Sequence, residues 1–128
     1  MIKIEHIALW TQDLERSKEF YIKYFGAKSN DKYHNQKKQL ETYFLQFDSG
    51  ARLEIMKRPE VHQIADQTFL SGLTHLAFSL GSKEKVDELT ETLVNDGYKK
   101  MDGPRTTGDG YYESLILDPD GNQIELTV

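Results

Sequence analysis

Two histidines and two glutamates stand at matched places in this chain. His6 and Glu54 are 48 residues apart, His75 and Glu125 are 50 apart, and each Glu lies four residues after a glycine in a turn-like run. Two imidazoles and two carboxylates make a mixed nitrogen/oxygen donor set suited to a borderline divalent ion: zinc, nickel, cobalt, manganese or iron. Four protein ligands on an octahedral ion leave two neighbouring positions open, and a substrate with two adjacent oxygens could take both. Such an ion acts as a Lewis acid toward charge developing on those oxygens. A ligand carboxylate released from it is a base within reach of a proton on the adjacent carbon. Taken singly, each residue has an ordinary reading, since strand histidines usually pack or hydrate and a Glu past a turn is usually solvated. The repetition sets the four apart from His34 and His62, which fall in loop-like stretches without a counterpart.

The elements that must carry these residues also repeat. Ile2 to Trp10 and Leu73 to Leu80 alternate as strands, which sends successive side chains to opposite faces. His6, Ala8 and Trp10 then share one face, as do His75, Ala77 and Ser79. A helix capped by Asp13 follows, with Leu14, Ser17, Tyr21, Tyr24 and Phe25 at helical spacing and Gly26 as its stop. Its counterpart is capped by Ser82, carries Val86, Leu89, Leu93 and Val94, and closes at Gly97. Strands over 41–48 and 51–57 complete the first module, with a weak strand inside 28–34. Strands over 111–117 and 122–128 complete the second, and Gly103-Pro104 and Gly108-Asp109-Gly110 read as loop. The expectation is one α+β domain over 1–128, built from two tandem βαβββ modules of approximately 1–58 and 72–128. An irregular connection over 59–71 has room for one helical turn. Two copies are too few for a solenoid. The two sheets are therefore expected side by side, with helices on the outer faces and the His and Glu faces left for a metal-binding cleft.

Composition narrows the function classes. The chain has 128 residues, a net charge of −5 and no cysteine. The acidic balance speaks against nucleic acid, and no apolar run approaches the roughly 20 residues of a membrane span. Without cysteine there is neither a disulfide nor a thiol nucleophile, which agrees with a cytoplasmic protein. Trp10 shares the His6 face and would line the pocket as an aromatic wall without offering a charge partner for a carboxylate. The run Arg105-Thr106-Thr107-Gly108-Asp109-Gly110-Tyr111 could bring Arg105 and Tyr111 to a polar or anionic substrate, or could be a plain Gly-rich connection.

Several stretches carry a resemblance to a known family. These are Glu5-His6-Ile7-Ala8-Leu9, Leu14-Glu15-Arg16-Ser17-Lys18-Glu19-Phe20-Tyr21, Phe25-Gly26, Leu53-Glu54-Ile55, Leu73-Thr74-His75-Leu76-Ala77-Phe78 and Asp118-Pro119-Asp120-Gly121-Asn122-Gln123-Ile124-Glu125. From His6 to Glu125 the chain resembles the vicinal oxygen chelate superfamily, which includes glyoxalase I, bleomycin-resistance proteins and extradiol dioxygenases. Within it, the complete His/Glu/His/Glu set resembles small glyoxalase I-like proteins. The resemblance implies a divalent metal held by His6, Glu54, His75 and Glu125, and a lactoylglutathione lyase-like activity on a hemithioacetal or similar vicinal-oxygen substrate. In that chemistry Glu125, or else Glu54, removes a proton from carbon and the resulting enediolate is stabilised. The resemblance also implies a homodimer with a small-molecule substrate, and leaves open whether each metal draws its ligands from one chain or two. The chain departs from glutathione-using relatives at Trp10, where an Arg is common, and at Lys57, where an Asn is usual; the thiol is thus open. The alternatives are another metal-dependent member (epimerase, thiol transferase for antibiotic resistance, dioxygenase) or a drug-binding resistance protein without catalysis.

Overall fold

The computed structural model describes residues 1–66 and 69–128, so Gln67 and Thr68, inside the expected connection, lie outside the described residues. The chain divides into two compact units, Met1–Ile64 and Ala65–Val128, and the division falls within that connection. No helix forms among the connection's described residues.

In the first unit, β1 (His6–Trp10) leads into α1 (Leu14–Phe25), followed by β2 (Lys28–Ser29), β3 (Tyr33–Asn35), β4 (Leu40–Gln46) and β5 (Arg52–Lys57). The sheet order is β1-β5-β4-β2, with β3 also pairing with β4. The weak strand expected inside 28–34 thus splits into two short pieces along one partner. Asp13 caps α1 by accepting from the Arg16 N–H at 3.0 Å. Gly26 ends the helix in the left-handed region at φ 66°, which other residues rarely tolerate. Leu14, Ser17, Phe20 and Tyr21 turn inward against Tyr43, Leu45, Leu53 and Ile55 of the sheet.

The second unit repeats this with β6 (His75–Ser79), α2 (Lys83–Asn95), β7 (Lys100–Thr106), β8 (Tyr112–Leu117) and β9 (Gln123–Thr127), in sheet order β6-β9-β8-β7. Ser82 caps α2 through the Lys85 N–H. Val86, Thr90 and Leu93 are buried, while Val94, expected on the inner stripe, is exposed because it sits one residue past Leu93 around the turn. A buried hydroxyl pair, Thr90 and Ser114 at 2.7 Å, ties α2 to β8. Ile116, Ile124 and Leu126 are fully buried beside it, each contributing about 1.5–3 kcal/mol.

One expectation is corrected. Gly103-Pro104, read as loop, lies inside β7. Proline is tolerated there because β7 is the edge strand, where a missing N–H costs no internal ladder bond. The register with β8 shifts twice around these residues. Gly103 is required by space as well as by angle. Its φ is 74°, and a Cβ there would stand 2.4 Å from the Glu113 carbonyl oxygen.

A polar tether joins α1 to its sheet. Glu15 accepts from the Tyr43 hydroxyl at 2.7 Å and pairs with Lys32 at 2.8 Å, and Lys32 also reaches Glu41 at 3.3 Å. Lys32, then Tyr43, hold the Glu15 carboxyl below the usual carboxylate range, and Glu15 above all raises Lys32. Among the described residues no helix is long and apolar enough to cross a membrane.

Two outcomes are expected. Gly103→Ala should lower the urea midpoint, with a loss of more than about 1 kcal/mol. Because the folded pKa of Glu15 is depressed, its stabilisation is present above the unfolded value of 4.5 and fades as pH falls through the folded one. Glu15→Gln should therefore be less stable than the parent at pH 7, and the gap should narrow in unfolding curves taken at successively lower pH below 4.5. The effect is small, since half of the Glu15 side chain is in solvent.

Candidate metal centre

Both units build the same local device. β1 pairs with β5 in parallel, with His6 beside Arg52, Ala8 beside Glu54 and Trp10 beside Met56. β6 pairs with β9 in parallel, with His75 beside Gln123, Ala77 beside Glu125 and Ser79 beside Thr127. In each case the His lies two residues before an alanine that adjoins the Glu, so imidazole and carboxylate meet diagonally on one face. The small alanine leaves the space over the carboxylate open. Phe44 flanks Glu54 from β4, and Leu115 flanks Glu125 from β8. On the opposite face, Leu53 and Ile55, or Ile124 and Leu126, are buried under the helix. A one-residue slip would expose that pair and bury the Glu.

The structure thus brings the four expected ligands into two His–Glu pairs, one in each unit. His6 Nε2 lies 3.9 Å from Glu54 Oε1, and His75 Nε2 lies 3.2 Å from Glu125 Oε2. Both glutamates are about one-sixth exposed, and both histidines more so. Among the described residues no three His, Asp or Glu side chains gather into one metal-binding group. The donor chemistry fits a divalent ion at either pair. Donors about 2.1 Å from one ion at 90–109° lie about 3.0–3.4 Å apart. The second pair already meets that separation, and the first would close by about half an ångström.

The neighbours of the two pairs differ. Glu5 accepts a hydrogen bond from His6 Nδ1 and is gripped by Arg52. That imidazole contact, more than Arg52, holds Glu5 below the usual carboxylate range. In the second unit Glu113 of β8 is a carboxyl neighbour of Glu125 on β9. Burial first, and then that neighbour, push its carboxyl up. Sequence reading singled out neither Glu5 nor Glu113. Strand alternation over 112–117 does place Glu113 on the Leu115 face, next to Glu125, and would have found it.

The expected substrate contacts are placed as follows. Trp10 stands on the His6 face and is 51% exposed, so its ring is open to a ligand. Arg105, on β7 opposite Glu113, donates Nε to Asp102 at 2.8 Å. Tyr111 is exposed just before β8, with its backbone held by Thr107.

Pairs of this kind on twin βαβββ units define a vicinal-oxygen-chelate type of protein, and comparison with known proteins agrees. The chain belongs to the Glyoxalase/Bleomycin resistance protein/Dioxygenase superfamily, whose family model matches residues 3–126. The uncharacterised protein YqjT of Bacillus subtilis is 33% identical, with 96% of each chain covered. A glyoxalase I mutant from Zea mays has a similar fold, with a TM-score of 0.80 and 23% identity over 98% of this chain and 44% of that one. So does the fosfomycin resistance protein FosX of Listeria monocytogenes, solved with Mn(II) and sulfate. Its TM-score is 0.77, with 22% identity over 100% of this chain and 93% of that one.

The turn before β9 sets the position of Glu125. Buried Asp118 accepts from the Asp120 and Asn122 N–H groups at 2.9 and 2.8 Å, and from Asn122 Nδ2 at 3.0 Å. Asp118→Ala removes a charged acceptor and strands those donors, so a loss of about 2 kcal/mol or more is expected. Chemical denaturation would measure it.

Proposed function

We propose that this protein is a metal-dependent lyase or isomerase of the glyoxalase I type, acting as a homodimer on a hemithioacetal or another substrate with two adjacent oxygens. The observation that carries this reading is the recurrence of one His–Glu pair, at one register, in both units. His6, Glu54, His75 and Glu125 would hold a divalent ion of zinc, nickel, cobalt, manganese or iron. Such an ion, when bound, supplies Lewis-acid charge for the paired oxygens.

The chain's own residues do the rest. Glu125, with Glu54 as the second candidate, takes a proton from the substrate carbon through a carboxylate oxygen and returns it to the neighbouring carbon. Trp10 covers an apolar part of the substrate. Arg105 and Tyr111 reach its polar end, Arg105 through the guanidinium N–H groups other than the Nε–H that Asp102 accepts. With Trp10 on the His6 face there is no cation at that position for a glutathione carboxylate, so the thiol partner need not be glutathione.

Metal analysis of purified protein, joined to assays of methylglyoxal with several thiols, tests this. Bound divalent metal is expected, with activity lost on chelation and regained on reconstitution. Glu125→Gln should lower kcat/KM by about 10²-fold or more, and His6→Ala or His75→Ala should weaken metal retention. Activity of metal-free protein equal to that of loaded protein on every hemithioacetal would sink the reading.

A further inference from the structure

Among the described residues, the Glu5–Arg52–Phe44 group around His6 has no counterpart at His75. Arg52 directs two N–H groups at a single carboxylate oxygen, with Nε 2.8 Å and Nη2 2.6 Å from Glu5 Oε1, and its backbone N–H donates to the Glu5 carbonyl at 2.9 Å. This leaves Oε2 of Glu5 for His6 Nδ1. The Arg52 guanidinium lies 4.2 Å from the centre of the Phe44 ring, and Phe44 meets the His6 ring edge-on at 5.2 Å and 82°. The imidazole is therefore held at one nitrogen and along its ring. The residue before His75 is Thr74, and the register position of Arg52 is taken by Gln123.

We propose that Glu5, held by Arg52, is a positioning residue that fixes His6 as the Nδ1–H tautomer and aims its Nε2 lone pair toward Glu54. A neutral imidazole that donates from Nδ1 offers Nε2 as its only ligand atom, and a carboxylate at Nδ1 makes that atom a stronger donor. Nε2 is the nitrogen facing Glu54, at 3.9 Å. An isolated exposed ion pair would order little. Here the carboxylate takes two side-chain contacts from Arg52, a backbone bond between the same two residues holds the Glu5 main chain, and a ring flanks the cation. The inference rests on the metal reading above and deepens it: the first histidine is held from behind by Glu5, whereas among the described residues no carboxylate does this for the second.

The test uses nitrogen–proton correlation NMR of the metal-free protein and titration with divalent cobalt, on the parent, Glu5→Ala and Glu5→Gln, the last keeping length and shape. In the parent, His6 is expected as the Nδ1–H form. In Glu5→Ala it becomes a tautomer mixture and cobalt affinity falls by about tenfold or more, with the His75 signals unchanged. Glu5→Gln should fall between, and serves as the variant if Glu5→Ala does not fold. An unchanged His6 tautomer, or cobalt affinity within twofold of the parent, overturns the assignment. If the parent itself binds no cobalt, the metal reading fails, while the tautomer measurement still decides for or against the role of Glu5.

Discussion

The parallel pairing of each histidine strand with its glutamate strand is the constraint on which the rest depends. Parallel neighbours put residues of equal register on one face, and the next pair along lies close enough for long side chains to meet. Through that rule His6 meets Glu54 and His75 meets Glu125, although each pair is separated by roughly fifty residues of chain. A parallel pair needs a crossover, and each unit supplies α1 or α2 for it. The helix then covers the apolar face, so its burial holds the register that leaves the carboxylate on the other side. Core and site are two faces of one decision.

Much of this was legible in the sequence because the signals were periodic or terminal. Alternation in His6–Trp10 and His75–Ser79 gave the faces, Asp13 and Ser82 gave the helix starts, and Gly26 gave a stop. The repeat tied the two His–Glu pairs together. β7 escaped because Gly103-Pro104 carries a turn signature, and only the edge position and the register shifts explain how a strand accommodates it. Glu5 escaped for another reason. Alternation assigns residues five and six to opposite faces, yet Glu5 precedes the regular strand, where its side chain can curl back to its neighbour's imidazole. Arg52 escaped because its partner Glu5 lies just ahead of a neighbouring strand, and pairing register is invisible to a periodicity argument.

The two units agree in backbone and ligand pair and disagree in what surrounds them. Trp10 occupies the place of Ser79, and Glu113 on β8 occupies that of Thr42 on β4. The first pair thus has an arginine-held carboxylate behind its histidine, while the second has an added carboxyl beside its glutamate. Equal ligands in unequal settings are not chemically equivalent, even though spacing alone makes them look interchangeable.

The Asp118 turn has a consequence for the order in which the second pair assembles. The bonds from the Asp120 and Asn122 N–H groups and the Asn122 amide to the Asp118 carboxylate, and the backbone bonds that join Asp118 to Gly121 and Asn122, all run within residues 118–122, so this part of the turn is local in sequence. Hairpins of such local construction form in about 1–10 μs, while contacts that span long stretches of chain wait for larger loops to close. β8 and β9 can therefore zip with Glu125 already facing outward, and β6 arrives later, across the whole length of α2, to lay His75 beside it. The carboxylate is the template, and the imidazole is fitted to it.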